Sequence, residues 1–158
     1  ESIFENCKFR ECEFLSCNLS NINFKSSNLQ DMVFEDCKLL GVDWTKAKWP
    51  YVKLTSTLKF YQCNLRLNNF FEMNLIDTVF EECRLQESDF RGADLMGASL
   101  CYCDFEKSLL QHCNLTKADF TGSSNYNINP LENTIRKAKF SFPEVIGLLR
   151  DFDIEIAH

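Results

Sequence analysis

From Phe4 onward the chain carries a large apolar residue at every fifth position: Phe4, Phe9, Phe14, Leu19, Phe24, Leu29, Phe34, Leu39, Trp44 and Trp49. The series restarts at Phe60 and runs through Leu65, Phe70, Leu75, Phe80, Leu85, Phe90, Leu95, Leu100, Phe105, Leu110 and Leu115 to Phe120. All 23 centres are Phe, Leu or Trp, and they take eleven of the 15 phenylalanines. A second column, two residues before each centre, is small or modestly apolar and takes eight of the nine cysteines. The other positions are mostly Asn, Asp, Glu, Lys, Arg and Ser. Each unit is therefore small, polar, large, polar, polar.

Neither regular element can hold this pattern on one face. In a helix, at about 100° per residue, five steps miss a full turn by roughly 140°. A flat strand has a period of two. The pattern is satisfied if each unit forms one side of a polygonal coil, with the large and small residues both pointing to the axis. Such a solenoid buries its apolar residues only by stacking coil on coil. The expected fold class is thus an all-β solenoid.

Units such as Ser88-Asp89-Phe90-Arg91-Gly92, Ala93-Asp94-Leu95-Met96-Gly97 and Ala118-Asp119-Phe120-Thr121-Gly122 resemble the pentapeptide-repeat family, whose motif is A(D/N)LXX. The resemblance covers residues 2–122. It implies a right-handed quadrilateral β-helix with four units per coil, about six coils in all. At a strand spacing of about 4.8 Å the rod would be on the order of 25–30 Å long.

Two regions depart from the repeat. Trp49 and Phe60 are eleven apart, so the register slips by one residue within 50–59. Leu54 keeps the first register, which predicts one extra residue within 55–59, a bulge or a small outward loop. After Phe120 the pattern stops, dividing the chain into a repeat region, 1–122, and a capping segment, 123–158. Within the cap, Ala138-Lys139-Phe140 predicts a short strand. Ser141-Phe142-Pro143-Glu144 has the form of a capping box and predicts a helix after it. Asp153-Ile154-Glu155-Ile156 predicts a final strand. The chain enters at Glu1 already in register, so preceding residues or a partner are expected to cover the first coil.

The cysteines are expected to be small buried hydrophobes and not disulfides or ligands. Cys63, Cys83 and Cys103 are twenty apart and should stack on one side, while Cys101 alone should face solvent. Unpaired thiols suggest a reducing, cytoplasmic compartment. CxxC pairs and Cys/His clusters are absent, so no metal or other cofactor is expected. His112 falls on an outward position, His158 ends the sequence given, and none of the common catalytic motifs occurs. A solenoid filled by Phe and Leu has no cleft, and the chain is not expected to be an enzyme. No run approaches the roughly 20 apolar residues of a membrane span, and no secretory leader is seen.

Charge is what remains to carry function. The net charge of −6 disfavours nucleic acid as a partner. Residues 71–106 hold nine acids against Arg84 and Arg91, whereas 43–59 hold four lysines against Asp43. The candidate acidic face comprises Asp77, Glu81, Glu82, Glu87, Asp89, Asp94 and Asp104. A rod with repeating acids presents periodic negative charge, as a duplex does with its phosphates. Phe71, Ile76 and Met96 also fall on outward positions and offer a second surface.

The rod and its cap, with Asn129-Pro130, Pro143-Glu144, Leu148-Leu149 and Ile154-Glu155-Ile156, resemble the Qnr-type quinolone-resistance and microcin-immunity branch of the family. That resemblance implies a DNA mimic that binds DNA gyrase and topoisomerase IV and protects them from inhibitors. It also implies a homodimer formed through the cap, for which the candidate residues are Phe142, Ile146, Leu149, Phe152 and Ile154. The competing class is a passive interaction scaffold with an unrelated partner. A third, a lumenal pentapeptide protein, would need a targeting leader.

Overall fold

The structure, a computed structural model, describes residues 2–50 and 58–157. The repeat folds as a parallel β-coil. Short strands β1 (Lys8–Arg10), β2 (Glu13–Leu15), β3 (Asn28–Gln30), β4 (Met32–Glu35), β5 (Leu58–Tyr61) and β6 (Val79–Glu81) pair as β1-β3 and β2-β4-β5-β6, all parallel. Single bridges continue the same registers, giving four ladders. The first runs through Asn69, Asp89 and Leu109, the second through Asn74, Asp94, Asn114 and Thr134. The third runs through Val79, Ser99, Asp119 and Lys139, the fourth through Asn64, Arg84, Asp104 and Ser124. Partners are twenty residues apart, so four five-residue units make one coil.

The corners explain the polar positions. In unit after unit the amide three residues past a centre donates to the centre's carbonyl, as from Met73 to Phe70 and from Ala98 to Leu95. The second residue past the centre has positive φ, Glu72 at 53° and Glu82 at 53° among them. A turn of this form places its third residue in the left-handed region. Glycine takes that place where space is also lacking. At Gly97 a Cβ would run into the Asp77 carboxylate of the coil below, and at Gly122 into the Tyr102 ring.

Every centre from Phe24 to Phe120 among the described residues is buried except Trp49, which is partly buried. The first column stacks Phe4, Phe24, Trp44, Phe70 and Phe90 with ring centroids 4.8–6.1 Å apart. The third stacks Phe14, Phe34, Phe60 and Phe80 at 5.1–5.2 Å. Between the columns the rings meet edge to face, Phe70 against Phe80 at 87° and Phe80 against Phe90 at 85°. Both geometries suit the ring quadrupole and add about 0.5–1.5 kcal/mol per pair beyond area burial.

The small column is a second ladder. Cys17, Cys37, Cys63, Cys83 and Cys103 stack one per coil, and the last four each donate Sγ–H to a carbonyl of the coil below. Ser123 closes the series by donating to the Leu100 carbonyl. All nine cysteines are free. The expectation that Cys101 alone faces solvent fails: Cys7, Cys12 and Cys17, in the first coil described, are half-buried as Cys101 is. The neighbouring Cys83 sulfur, with burial, pushes the Cys63 thiol up, and burial pushes Cys113 up to about 11.

Four local expectations are corrected. Asn28 bridges Lys48, an offset of 20, but Met32 pairs with Leu58 and Phe34 with Phe60, an offset of 26. Six residues beyond a normal coil therefore lie between Lys48 and Leu58, not one. Lys59 is itself in a strand, and residues 54–57 lie outside the described residues. Stacking also continues past residue 122: Asn114 bridges Thr134, Asp119 bridges Lys139, and Phe120 stacks on Phe140. After that coil comes a 3₁₀ helix, Glu144–Phe152, whose cap residue Pro143 makes no side-chain cap bond. Ser141 instead accepts from the Gly122 amide of the coil below, so the capping box does not form. The final strand does not form either: residues 153–157 have no ladder partner among the described residues.

Among the described residues Ser27, Asn68, Thr78, Ser88, Ser108 and Ser123 are polar and buried, and Asn68 is the one amide of the set. Asn68 is 2% exposed and fully engaged: Trp44 Nε1–H donates to its Oδ1 at 2.7 Å, and its Nδ2 donates to the carbonyls of Leu39 and Arg66. Truncating it strands an indole N–H and a carbonyl, each costing about 1–3 kcal/mol. Asn68→Ala should lose roughly 2–4 kcal/mol in urea denaturation by the same reasoning. Tyr126 is the converse case, buried with a hydroxyl that has no partner among the described residues. Tyr126→Phe should leave stability unchanged or raise it by about 1 kcal/mol. The thiol ladder makes a third prediction: in native protein, alkylation at pH 8 followed by mass mapping should label Cys7, Cys12 and Cys17 before Cys37, Cys63, Cys83 or Cys113.

Candidate functional site

The outward side chains divide by position in the unit. The residue before each centre is commonly Asn or Asp because its Oδ1 accepts the amide two residues on, closing the corner. Arg91 N–H donates to Asp89, Met96 to Asp94 and Glu106 to Asp104, at 3.0–3.1 Å. These three candidate acids are thus structural parts of the repeat. The two residues after each centre project from the corners without such a duty, and Asp77, Glu81, Glu82 and Glu87 are of this kind.

Register then separates them. Residues 71–106 span nearly two coils, so acids adjacent in sequence are distributed around the rod. Asp89 lies on the first ladder, Asp94 on the second and Asp104 on the fourth. Glu87 is at the corner between the fourth and first. Asp77, Glu81 and Glu82 flank the third ladder, and the stacking register brings them together with acids from the start of the chain. Glu13 is on that ladder. Glu11 and Asp31 precede it at the corner of Asp77, and Glu35 and Asp36 follow it at the corner of Glu81 and Glu82. Among the described residues of the first four coils this side holds eight acids against Arg10 and Lys59.

Pairing sharpens the contrast. Among the described residues Glu13, Asp31, Glu35, Asp36, Asp77, Glu81 and Glu82 take part in no ion pair. Glu87 is paired with Arg66 at 3.2 Å, and Asp89 with Arg91 at 2.7 Å. The Arg91 guanidinium holds the Asp89 carboxyl below its ordinary range. Neutral donors support the unpaired carboxylates: Ser16 to Asp36 at 2.9 Å, Ser99 to Glu81 at 3.2 Å and Gln62 to Glu82 at 3.2 Å. Glu35, Tyr61, Gln62, Glu81 and Glu82 line one shallow groove across three coils. Glu11, Glu13, Asp31, Glu35 and Asp36 were not singled out in the sequence, where they lie up to 71 residues from Glu82. Only the coil register could have found them.

Of the second surface, Phe71 and Met96 are exposed and Ile76 is half-buried. Phe71 lies beneath Arg91, whose guanidinium carbon is 5.5 Å from the ring centroid. The cap candidates are open on one side: Phe142 is 83% exposed, Ile154 55%, and Ile146, Leu149 and Phe152 are 41–43%. In a 3₁₀ helix residues three apart eclipse one another. Ile146, Leu149 and Phe152 therefore form one outward stripe, while Val145 and Leu148 pack on the end of the rod. Among the described residues no group of His, Cys, Asp and Glu is arranged to hold a metal ion, and no helix is long and apolar enough to cross a membrane.

A family model described as a pentapeptide repeat region matches residues 1–58 and 42–120. The chain belongs to the pentapeptide-repeat family. No curated protein sequence matches it. Among solved structures it is similar to QnrB1, described as a plasmid-mediated fluoroquinolone resistance protein. A trypsin-treated form is 14% identical with a TM-score of 0.54, covering 99% of this chain and 97% of that one. The full-length form is 20% identical with a TM-score of 0.50, covering 97% and 88%. Rfr23, a pentapeptide-repeat protein from the cyanobacterium Cyanothece 51142, is 12% identical with a TM-score of 0.38, covering 88% and 91%. At these identities the likeness shows the fold, a right-handed β-helix.

The corner role of the Asp residues is directly testable. Asp94→Asn keeps an acceptor for the Met96 amide and should leave stability within about 0.5 kcal/mol, whereas Asp94→Lys should lose about 1 kcal/mol in thermal or urea unfolding.

Proposed function

We propose that this chain is a non-enzymatic DNA mimic that binds bacterial type II topoisomerase, DNA gyrase or topoisomerase IV, and modulates it or protects it from quinolone-type inhibitors. In this reading it works in the cytoplasm as a four-sided rod whose 123–158 segment supplies the last coil and its cap and joins two copies. The observation that carries it is the unpaired acidic side: Glu13, Asp31, Glu35, Asp36, Asp77, Glu81 and Glu82 on one flank of a straight, solid rod. Carboxylates left without cations keep their field for a partner, and a basic DNA-holding surface is the complementary shape and charge. The end-to-end likeness to a fluoroquinolone resistance protein supports the choice of enzyme. Glu87, Asp89, Asp94 and Asp104, on the other sides, contribute to the overall negative field.

The test is a gyrase supercoiling assay with purified protein, with and without a quinolone. Wild type should inhibit at high dose or rescue from drug at low dose, more weakly as salt rises. Glu35→Gln, Asp36→Asn, Glu81→Gln and Glu82→Gln combined should lower that effect at least tenfold. A control set off the flank, Glu87→Gln, Asp89→Asn, Asp94→Asn and Asp104→Asn, should lower it less. Equal loss in both sets would reject the flank as the contact, and no effect of wild type at any dose would select a scaffold for an unrelated partner.

The dimer rests on the outward stripe of Ile146, Leu149 and Phe152 with Phe142 and Ile154 beside it, more apolar surface than a lone rod end needs. Ile154→Asp should convert dimer to monomer in sedimentation velocity.

A further inference from the structure

The rod is solid, but the helix that closes it leaves a cleft of about 410 Å³ against the last coils. Glu106, Asn125 and Tyr126 line it from the rod, and Pro143, Glu144, Gly147 and Arg150 from the helix side. Helix geometry sets the second group. Residues three apart in a 3₁₀ helix eclipse one another, so Glu144–Phe152 presents three stripes. Val145 and Leu148 pack on the rod, and Ile146, Leu149 and Phe152 face outward. Glu144, Gly147 and Arg150 are the third stripe, turned to the cleft.

Packing does not account for this stripe. Gly147 has no positive φ, and a Cβ there would meet only Arg150 Nη2, at an ordinary 3.5 Å. Glycine inside a helix is destabilising relative to alanine, so here it keeps a space open where no clash requires it. Glu144 and Arg150 carry opposite charges at the two ends of the stripe. Among the described residues they make no ion pair with each other, and Glu106 across the cleft makes none either. The Arg150 guanidinium donates to Asn127 Oδ1 at 3.3 Å. Tyr126, 5% exposed, brings to the same cleft a hydroxyl with no partner among the described residues. Burial, with the Glu144 carboxylate nearby, pushes that hydroxyl up to about 12, so it stays neutral and can both donate and accept. Buried polar groups are nearly always paired.

We propose that the cleft binds a small zwitterion, a free α-amino acid, its ammonium held by Glu144 and Glu106, its carboxylate by Arg150, and the Tyr126 hydroxyl bonded to the bound group. The donor set selects this class. Carboxylates and a guanidinium held apart across a gap match a ligand that carries both charges. An amine alone would leave the guanidinium without a counter-ion, and an acid alone would face two carboxylates. Glu144 and Arg150 are exposed and can turn onto a ligand, which opens the hydroxyl to it. The cleft is separate from the acidic flank and from the outward stripe of Ile146, Leu149 and Phe152, so it stands apart from the topoisomerase and dimer readings.

Isothermal titration calorimetry of the full chain with each common L-amino acid tests it. At least one should bind with a Kd below about 1 mM. Its methyl ester, which lacks the carboxylate, and its N-acetyl derivative, which lacks the ammonium, should each bind roughly tenfold more weakly or worse, the loss of one charge-assisted contact. Glu144→Gln and Arg150→Gln should weaken binding about tenfold and Tyr126→Phe about threefold or more. Gly147→Leu, which fills the gap, should abolish it. Without ligand, Arg150→Gln and Tyr126→Phe should melt no lower than wild type, so that their weaker binding is not lost folding. No heat from any amino acid at about 10 mM, an ester or N-acetyl derivative binding as tightly as its parent, or binding untouched by both Arg150→Gln and Gly147→Leu would each overturn the proposal.

Discussion

The structure depends on one constraint, that each residue lies over its counterpart one coil away. That register closes the coil on itself through parallel ladders and sets ring on ring along the axis. The constraint has a cost. Among the described residues twenty that are not glycine have positive φ, nearly all at the second place after a centre, in a region that costs L-residues roughly 1–2 kcal/mol each. No single coil could hold them. Each is tolerated because its neighbours above and below fix the same corner, through ladder bonds on both sides and a core that penalises any shift. The fold is therefore cooperative along its axis, and side chains are under different rules inside and outside. Inside, volume and stacking decide the residue. Outside, structure constrains the turn-closing Asn or Asp and the corner glycines such as Gly97 and Gly122.

How much of this was legible in the sequence follows from the arithmetic of the repeat. A period of five identifies every inward position, and Phe80 and Leu95, both fully buried, lie where the spacing puts them. It is blind to anything that is whole modulo five. The eleven residues from Trp49 to Phe60 announce one extra residue. An insertion of one and an insertion of six are the same slip until the coil period of twenty is imposed, and the pairing of Phe34 with Phe60 decides for six. The cap was less legible because its elements carry no repeat. Ser141 and Glu144 have capping-box spacing, yet Ser141 is drawn to the Gly122 amide of the coil below, a contact no local window contains.

The acidic site shows the same limit in functional form. A run of charge in sequence suggests a patch of charge in space, and for a helix or a single strand that inference is sound. In a solenoid it fails, because any run as long as a coil encircles the molecule. Asp89, Asp94 and Asp104 belong to three different sides, and two of the seven acids are already neutralised by arginine. The flank that does concentrate unpaired charge joins Glu13 to Glu81 and Glu82 across the insertion. It could be assembled only with the 26-residue offset in hand. A surface read from one period of the chain and a surface read from the period of the coil are different surfaces.

The two ends of the rod show what stacking leaves undone. A coil satisfies its neighbours and leaves its own far edge open, so a solenoid always carries one more set of backbone donors and acceptors than it can pair internally. Apolar exposure at the last coil is met by Val145 and Leu148, which dock a helix across the axis. A helix satisfies its own amides internally and has none to offer the edge beneath it. Covering the apolar end and pairing the last ladder are thus separate problems, and this cap addresses the first. The amides of Ile135 and Lys137 have no acceptor among the described residues.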